Sequence, residues 1–147
     1  MGKLVQNQRY KAMSSMFGQI ARSIYENSEE DYGMSPKAWA ALRYFHEVAT
    51  TENRTQQHLA RYLGIHKATT SRIVALLEKK ELLYKAVKPG ENRKRDIFIT
   101  EQGCLLLEKD PELLLANILS QLTPEDVNNF QKMLEAIQEK YLETRSD

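Results

Sequence analysis

The sequence predicts a mainly α-helical fold that carries one small β-hairpin. Three observations predict it: apolar residues recur at helical spacing in both outer thirds of the chain, two short helical patterns separated by a glycine fill residues 55–80, and two short alternating segments follow. With 147 residues, 41% of them hydrophobic and 28% charged, the chain has the composition of a single compact domain.

The N-terminal third predicts two helices. Apolar residues at steps of three and four form one stripe on a long helix that we expect to end near Asn27. This stripe consists of Tyr10, Met13, Phe17, Ile20 and Ile24. After a polar turn at residues 29–33, an N-cap at Ser35 and a first-turn proline at Pro36 predict a second helix over residues 35–49. Its buried face is expected to consist of Trp39, Leu42, Phe45 and Val48.

A helix-turn-helix is predicted over residues 55–80. A short helix at residues 55–62 is followed by a turn at Gly64, which tolerates the positive φ that ends a helix, and by a longer helix at residues 67–80. The buried side of the second helix is expected to carry Thr70, Ile73, Val74 and Leu77. Its outward side carries Lys67, Ala68, Ser71, Arg72 and Ala75. A plain helical hairpin has the same spacing and is the alternative for this segment.

Two alternating strands, at residues 83–87 and 93–99, predict a β-hairpin with a turn at residues 88–92. Its base turns Ile97 and Ile99 toward the helices, and its basic tip carries Lys88, Arg93, Lys94 and Arg95. A hairpin of this kind after a helix-turn-helix is the wing of a winged helix, which can cross a phosphate backbone or enter a minor groove. The alternative is a basic hairpin that only adds solubility.

Residues 101–147 predict two further helical segments. The first, at residues 101–122, is apolar on more than one side and is interrupted near Pro111. The last helix begins at Thr123 and Pro124, an N-cap and a first-turn proline. Its apolar stripe consists of Val127, Phe130, Leu134, Ile137 and Tyr141.

A helix that is apolar on more than one side must pack against more apolar surface than a chain of 147 residues readily provides. We therefore expect a symmetric homodimer formed by the N- and C-terminal helices, because two-fold homodimers are the commonest closed assembly. Residues 1–34 and 101–147 would form the helical dimerisation region, and residues 35–100 the winged helix-turn-helix lobe. The alternative is a monomeric bundle with these leucines inside.

The charge is unevenly distributed along the chain. Residues 51–100 contain eleven Lys or Arg and five Asp or Glu, a net charge of +6, whereas the rest of the chain carries −5. A basic middle third in a chain whose other residues are net acidic favours binding to a polyanion, because neutralisation of phosphates is the main sequence-independent source of affinity for DNA. A solvated charged face is the alternative. The expected DNA-contacting residues are Thr55, Gln56, Lys67, Ala68, Thr69, Ser71, Arg72, Lys88, Asn92, Arg93, Lys94 and Arg95.

Three segments resemble the MarR (multiple antibiotic resistance regulator) family of bacterial transcription regulators. MSPKAWAALRYFHE is similar to the family's second helix, GIHKATTSRIVALLEKKELL to its recognition helix, and ENRKRDIFITEQG to its wing and the start of its fifth helix. The resemblance implies a winged-helix homodimer, usually a repressor, in which Arg93 is the wing-tip arginine that contacts DNA. Glu91 stands where the family usually has an aspartate, and Asn92 where arginine is common.

The resemblance also implies control by a small, often aromatic or phenolic effector between the dimer helices and the winged-helix lobe. By position and chemistry, Tyr25, Trp39, Arg43 and His46 are the candidates to line such a crevice. For Trp39, the favoured alternative is a place in the hydrophobic core, because its step-of-three spacing already explains it.

Other classes of function lack support in the sequence. No catalytic motif is present, so we expect neither an enzyme nor a cofactor. His46, His58 and His66 are too scattered for a metal site, and the single cysteine, Cys104, excludes an internal disulfide. The hydroperoxide-sensing branch of the family that this chain resembles has a cysteine near the N-terminus, where this sequence has none, so we expect no redox switch. Without a long apolar run or a secretory signal, the protein is expected in the cytoplasm. The sequence thus predicts a sequence-specific, double-stranded DNA-binding transcriptional regulator, and the alternative is a winged-helix protein-interaction module that does not bind DNA.

Overall fold

A computed structural model describes residues 7–87, 90 and 95–146 of the chain. It confirms the predicted fold class, helices with one antiparallel two-stranded hairpin. The described helices are α1 (Gln8–Tyr32), α2 (Pro36–Arg43), α3 (Gln56–Leu63), α4 (Lys67–Lys79), α5 (Glu101–Leu106), α6 (Pro111–Leu119) and α7 (Pro124–Ser146), and the strands are β1 (Leu83–Val87) and β2 (Arg95–Ile99). The chain divides into two compact units that meet between Pro111 and Glu112.

The first unit has one hydrophobic core, which α2, α3, α4 and the hairpin share. Trp39, Phe45, Leu59, Leu77 and Ile97 are among its fully buried side chains. The predicted buried side of α4 is confirmed, since Thr70, Val74 and Leu77 are inaccessible to solvent and Ile73 is half-buried. The opposite side of α4 is therefore the side left to solvent.

Helix α1 is longer than the sequence pattern predicts. It ends at Tyr32, before Gly33 in the left-handed conformation (φ 63°), and not near Asn27. The last turn is held by tertiary contacts that a pattern of apolar spacing does not reveal. The buried hydroxyl of Ser28 accepts a hydrogen bond from the indole N–H of Trp39, and the ring of Tyr32 meets the Trp39 ring edge-on with centroids 6.2 Å apart.

The second predicted helix changes its geometry partway. Regular α-helix stops at Arg43 and continues as a π-helical turn over Tyr44–Val48, in which the Ala49 amide donates to the Tyr44 carbonyl (2.8 Å). Because a π turn holds more residues than an α turn, it shifts every later side chain around the helix axis. Phe45 stays buried as expected, but Val48 is exposed, so the prediction for Val48 was wrong.

The hairpin and its neighbours confirm the predicted order of elements. Strand β1 pairs with β2 in antiparallel register, from Leu83 opposite Ile99 to Val87 opposite Arg95. Helix α5 follows directly and ends in a 3-10 turn, Leu107–Lys109, so the predicted break before Pro111 is present. Residues 88–89 and 91–94, which include the predicted hairpin turn and the first part of the second predicted strand, lie outside the described residues.

The second unit consists of most of α6 together with α7. Helix α7 begins as predicted, and the hydroxyl of Thr123 caps it by accepting from the Asp126 amide (3.2 Å). Many large apolar side chains of this unit are exposed, among them Leu114, Ile118, Ile137 and Tyr141. Within the described part of the chain, no helix combines the length and apolar character that crossing a membrane requires.

Candidate nucleic-acid interface

The outward side of α4 presents a compact set of polar and small side chains. Lys67, Ala68, Ser71 and Arg72 are exposed, and Thr69 is half-buried. They occupy the N-terminal half of the helix, and the opposite side anchors it in the core. Arginine can grip a guanine edge with two hydrogen bonds, serine reaches bases or phosphates, and small side chains allow close approach to a groove floor. This half of α4 is therefore equipped to read base edges in a major groove.

Helix α3 is fixed at both ends by local chemistry. The hydroxyl of the N-cap residue Thr55 accepts from the amide of His58, the third residue of the helix (3.2 Å), and lies 2.6 Å from Nδ1 of the His58 ring. At the other end, Gly64 takes the left-handed conformation (φ 66°) predicted for it. Gly64 therefore forms part of the turn between α3 and α4.

A groove of about 420 Å³ separates the start of α3 from the hairpin. The start of α3 forms one wall, and the hairpin contributes Lys85, Arg95 and Ile97 to the other. Arg95 is exposed, whereas Nζ of Lys85 lies 3.3 Å from the Glu78 carboxylate on α4. The groove thus combines two cationic side chains with the N-terminus of a helix, a combination that attracts phosphate oxygens.

The base of the hairpin is anchored in the core as predicted. Ile97 is 1% exposed and Leu83 is 2% exposed. On the other face, the rings of Tyr84 and Phe98 stack across the strands with centroids 5.5 Å apart. Of the predicted wing residues, the structure describes Arg95, while Lys88, Asn92, Arg93 and Lys94 lie outside the described residues.

The four candidate effector residues occupy different environments. Trp39 is fully buried in the core, and Tyr25 is half-buried against it. The guanidinium Nε of Arg43 lies 2.7 Å from a carboxylate oxygen of Asp110. His46 is exposed, with Nδ1 3.9 Å from Sγ of Cys104. Their role in binding an effector stays a prediction.

Three residues near these sites were not singled out from the sequence. Lys85 pairs with Ile97 across the hairpin and faces the groove, which strict alternation along β1 could have indicated. Asp110 and Arg54 were not recognisable from the sequence, because Asp110 pairs with the distant Arg43 and Arg54 donates to the distant Ile97 carbonyl. In the sequence analysis, Arg54 contributed only to the net positive charge of residues 51–100.

Comparison with known proteins agrees with this arrangement. Residues 32–95, which span α2, the helix-turn-helix and the first hairpin strand, match the model of the MarR family. Comparison with curated proteins gave no match.

Solved structures with a similar fold include two bacterial proteins. MepR, a transcription regulator of the Staphylococcus aureus multidrug efflux pump MepA, has 20% sequence identity and a TM-score of 0.66, over 92% of this chain and 98% of that one. In its complex with DNA, MepR has 21% identity and a TM-score of 0.64, over 89% and 97% of the two chains.

YusO from Bacillus subtilis has 18% identity and a TM-score of 0.68, over 88% of this chain and 92% of that one. These likenesses establish the winged-helix fold, and the family match covers the segment that carries the exposed side of α4. Residues 32–95 of the chain therefore match the MarR family, and the fold of the chain is that of the solved MepR and YusO structures.

Proposed function

We propose that the protein acts as a homodimer that binds a palindromic operator and represses transcription. The exposed N-terminal half of α4 is the observation that carries the proposal, because it presents Lys67, Ser71 and Arg72 on a helix whose opposite side is fixed in the core. Each α4 enters one major groove, and Arg95 with Lys85 holds the adjacent phosphate backbone. The two half-sites then lie about one helical turn apart or slightly more.

The exposed apolar side chains support a dimer. On α1, Tyr10, Met13, Phe17 and Ile20 are each more than half exposed and form one stripe, as Ile137 and Tyr141 do on α7. Contiguous apolar surface of this extent marks an interaction site in soluble proteins. Residues 1–34 and 101–147 would supply that interface in the dimer, and residues 35–100 would bind DNA.

A small aromatic effector is the proposed control. MepR has been solved bound to ethidium bromide, a planar aromatic cation, at 21% identity to this chain and a TM-score of 0.65 over 90% and 96% of the two chains. Tyr25 and His46 offer partly accessible rings for such a ligand, whereas Trp39 is fully buried and Arg43 is half-buried beside Asp110. The ligand releases DNA only to the extent that it prefers the spacing of the two α4 helices that does not fit the operator.

Selection of bound sequences from random duplex DNA tests the proposal. We expect an enriched palindrome that the purified protein binds at least about a thousandfold more tightly than random DNA. Gel shifts of that palindrome in the presence of small aromatic compounds then test release. A protein-interaction module would give no enriched sequence and no shift even at low salt, and that outcome would overturn the proposal.

A further inference from the structure

We propose that Arg54 is a positioning residue for DNA binding, which fixes the hairpin against the start of α3 and the π-helical turn. The inference rests on the proposed function and deepens it. It assigns to a cation of the basic middle third a role that involves no contact with DNA. Through Arg54, the phosphate-contacting Arg95 and the base-reading α4 are held at the spacing that one DNA site requires.

The guanidinium of Arg54 joins two separate elements through backbone carbonyls. Its Nη1 donates to the carbonyl of Ile97 on β2 (3.3 Å) and to that of Phe45 in the π-helical turn (3.4 Å). Its Nη2 donates to the carbonyl of Ala49 (3.3 Å), directly after that turn. The guanidinium carbon also lies 4.7 Å from the centroid of the Phe98 ring, within cation–π distance.

The backbone of Arg54 completes the connection. Its carbonyl accepts from the Ile97 amide (2.7 Å), so one residue binds both the N–H and the C=O of Ile97. Arg54 also immediately precedes Thr55, the N-cap of α3. The preceding residue is tied down as well, since the hydroxyl of Tyr44 donates to the Asn53 carbonyl (2.6 Å). Movement of β2 relative to α3 therefore has to break contacts of Arg54.

The contacts require arginine and not merely a positive charge. Three carbonyls surround a planar group with several donors, whereas a lysine ammonium is a point charge on a flexible stem and cannot reach all three with one nitrogen. Within the described part of the chain, Nε of Arg54 is buried and makes no hydrogen bond, which costs free energy of desolvation. The bonds of the two terminal nitrogens have to offset that cost. Both terminal nitrogens of Arg54 are thus directed at backbone carbonyls of the protein.

The exchange Arg54→Lys tests the inference, because it keeps the charge and removes the planar donor set. We expect operator affinity to fall about tenfold at a temperature where the variant is fully folded. A double-mutant cycle with Arg95→Ala is the decisive measurement. Once the hairpin is no longer held, Arg95→Ala should weaken binding by less than about twofold, whereas in the wild-type background it should weaken it about fivefold.

The matched control is the cycle of Arg54→Lys with Arg72→Ala. Arg72 lies on α4, which is anchored by its own core contacts, so these two effects should multiply independently. If both cycles are additive, Arg54 has only a structural role and the inference is wrong, while the proposed function stands. If Arg54→Lys does not unfold cooperatively, Phe98→Leu replaces it, since this change removes the ring under the guanidinium and leaves the carbonyl contacts in place.

Amide hydrogen exchange measured without DNA distinguishes failure of the inference about Arg54 from failure of the proposed function. We expect Arg54→Lys to raise the exchange rate of the Ile97 amide at least about tenfold relative to amides in α4. If the wild-type protein binds no DNA, the proposed function fails together with the DNA role of Arg54, and the exchange result still shows whether Arg54 holds the hairpin. Unchanged exchange at Ile97 overturns the inference whatever the DNA measurements give.

Discussion

A carboxylate oxygen of Asp110 lies 2.7 Å from the guanidinium Nε of Arg43. Their side chains are 6% and 16% exposed, so this ion pair is largely withdrawn from water. It joins the last residue of α2 to the residue that precedes α6. Removal of either partner takes away the charge that faces the other in this largely water-free position, which is costly.

We expect Asp110→Ala to lower the free energy of unfolding by about 3 kcal/mol, because Arg43 then loses the carboxylate 2.7 Å from its Nε while its guanidinium stays largely withdrawn from water. The double variant Arg43→Met/Asp110→Leu should recover most of that loss, since it removes both charges and fills the space with apolar groups. Urea unfolding measures both. Glu143→Gln, which breaks the exposed pair with Lys140, is the control and should change nothing measurable. A double variant as unstable as Asp110→Ala would contradict this account.

We expect Gly103→Ala to destabilise the protein by about 2 kcal/mol or more, because the added methyl group overpacks the junction of α5 and the hairpin. A Cβ at Gly103 would lie 2.5 Å from the Leu82 carbonyl oxygen and 2.6 Å from Cγ1 of Ile99. The control is Gly18→Ala on α1, where the Cβ would meet only the flexible end of Arg22. That change should stabilise the helix by up to about 1 kcal/mol. Thermal unfolding of both variants checks the prediction, and a stable Gly103→Ala would refute it.

The stability of the protein should fall at alkaline pH through Tyr44. Burial raises the pKa of its phenol above the usual 10.0, Arg54 acts in the opposite direction and Tyr62 adds to the rise. In the unfolded chain the phenol loses its proton near pH 10, before it does so in the folded protein, so folding binds the proton and stability is lost as pH rises through this range. Tyr44→Phe should flatten the decline in urea-unfolding free energy above pH 10. Tyr10→Phe, at an exposed position, should leave the decline as it is.

Replacement of Arg72 and replacement of Arg95 should weaken DNA binding in different ways. Arg95→Ala should reduce the slope of log K against log salt by about 0.9, because one phosphate contact is lost. Arg72→Ala should cost about 1–3 kcal/mol on the selected operator and much less on random DNA, since it removes a base contact. Binding titrations over a salt series measure both, with Arg145→Ala at the far end of α7 as the control. Equal losses of Arg72→Ala on both DNAs would show that Arg72 does not read bases.

The apolar stripe of α1 should be essential for dimer formation. Phe17→Glu places a charge in the middle of the stripe, and we expect it to weaken dimerisation by at least about 2 kcal/mol. Sedimentation equilibrium measures the dissociation constant. Gln19→Glu adds the same charge on the opposite side of the helix and should leave the dimer intact. If both variants sediment like the wild-type protein, α1 does not form the interface.

Helix α4 and the turn before it were predictable because the information for them is local. The side of α4 that is buried and the side that is exposed follow from a period of 3.6 residues, and the left-handed Gly64 follows from the chemistry of glycine. The basic hairpin followed from alternation in the same way. For these elements, a side chain's role depends on neighbours within a few positions along the chain.

The tertiary contacts between these elements could not be predicted from local sequence patterns. The extension of α1 depends on Ser28 meeting Trp39, the π-helical turn moves Val48 to the surface, and Arg54 bonds to Ile97, 43 residues later. Nothing local distinguishes Arg54 from a cation that faces solvent, since its acceptors are backbone carbonyls that every residue possesses. Periodicity and capping in the sequence thus determine which segments form helices and strands. The partners of isolated polar side chains depend on the tertiary structure, because each buried donor needs an acceptor and the packing of distant segments decides which acceptor is within reach.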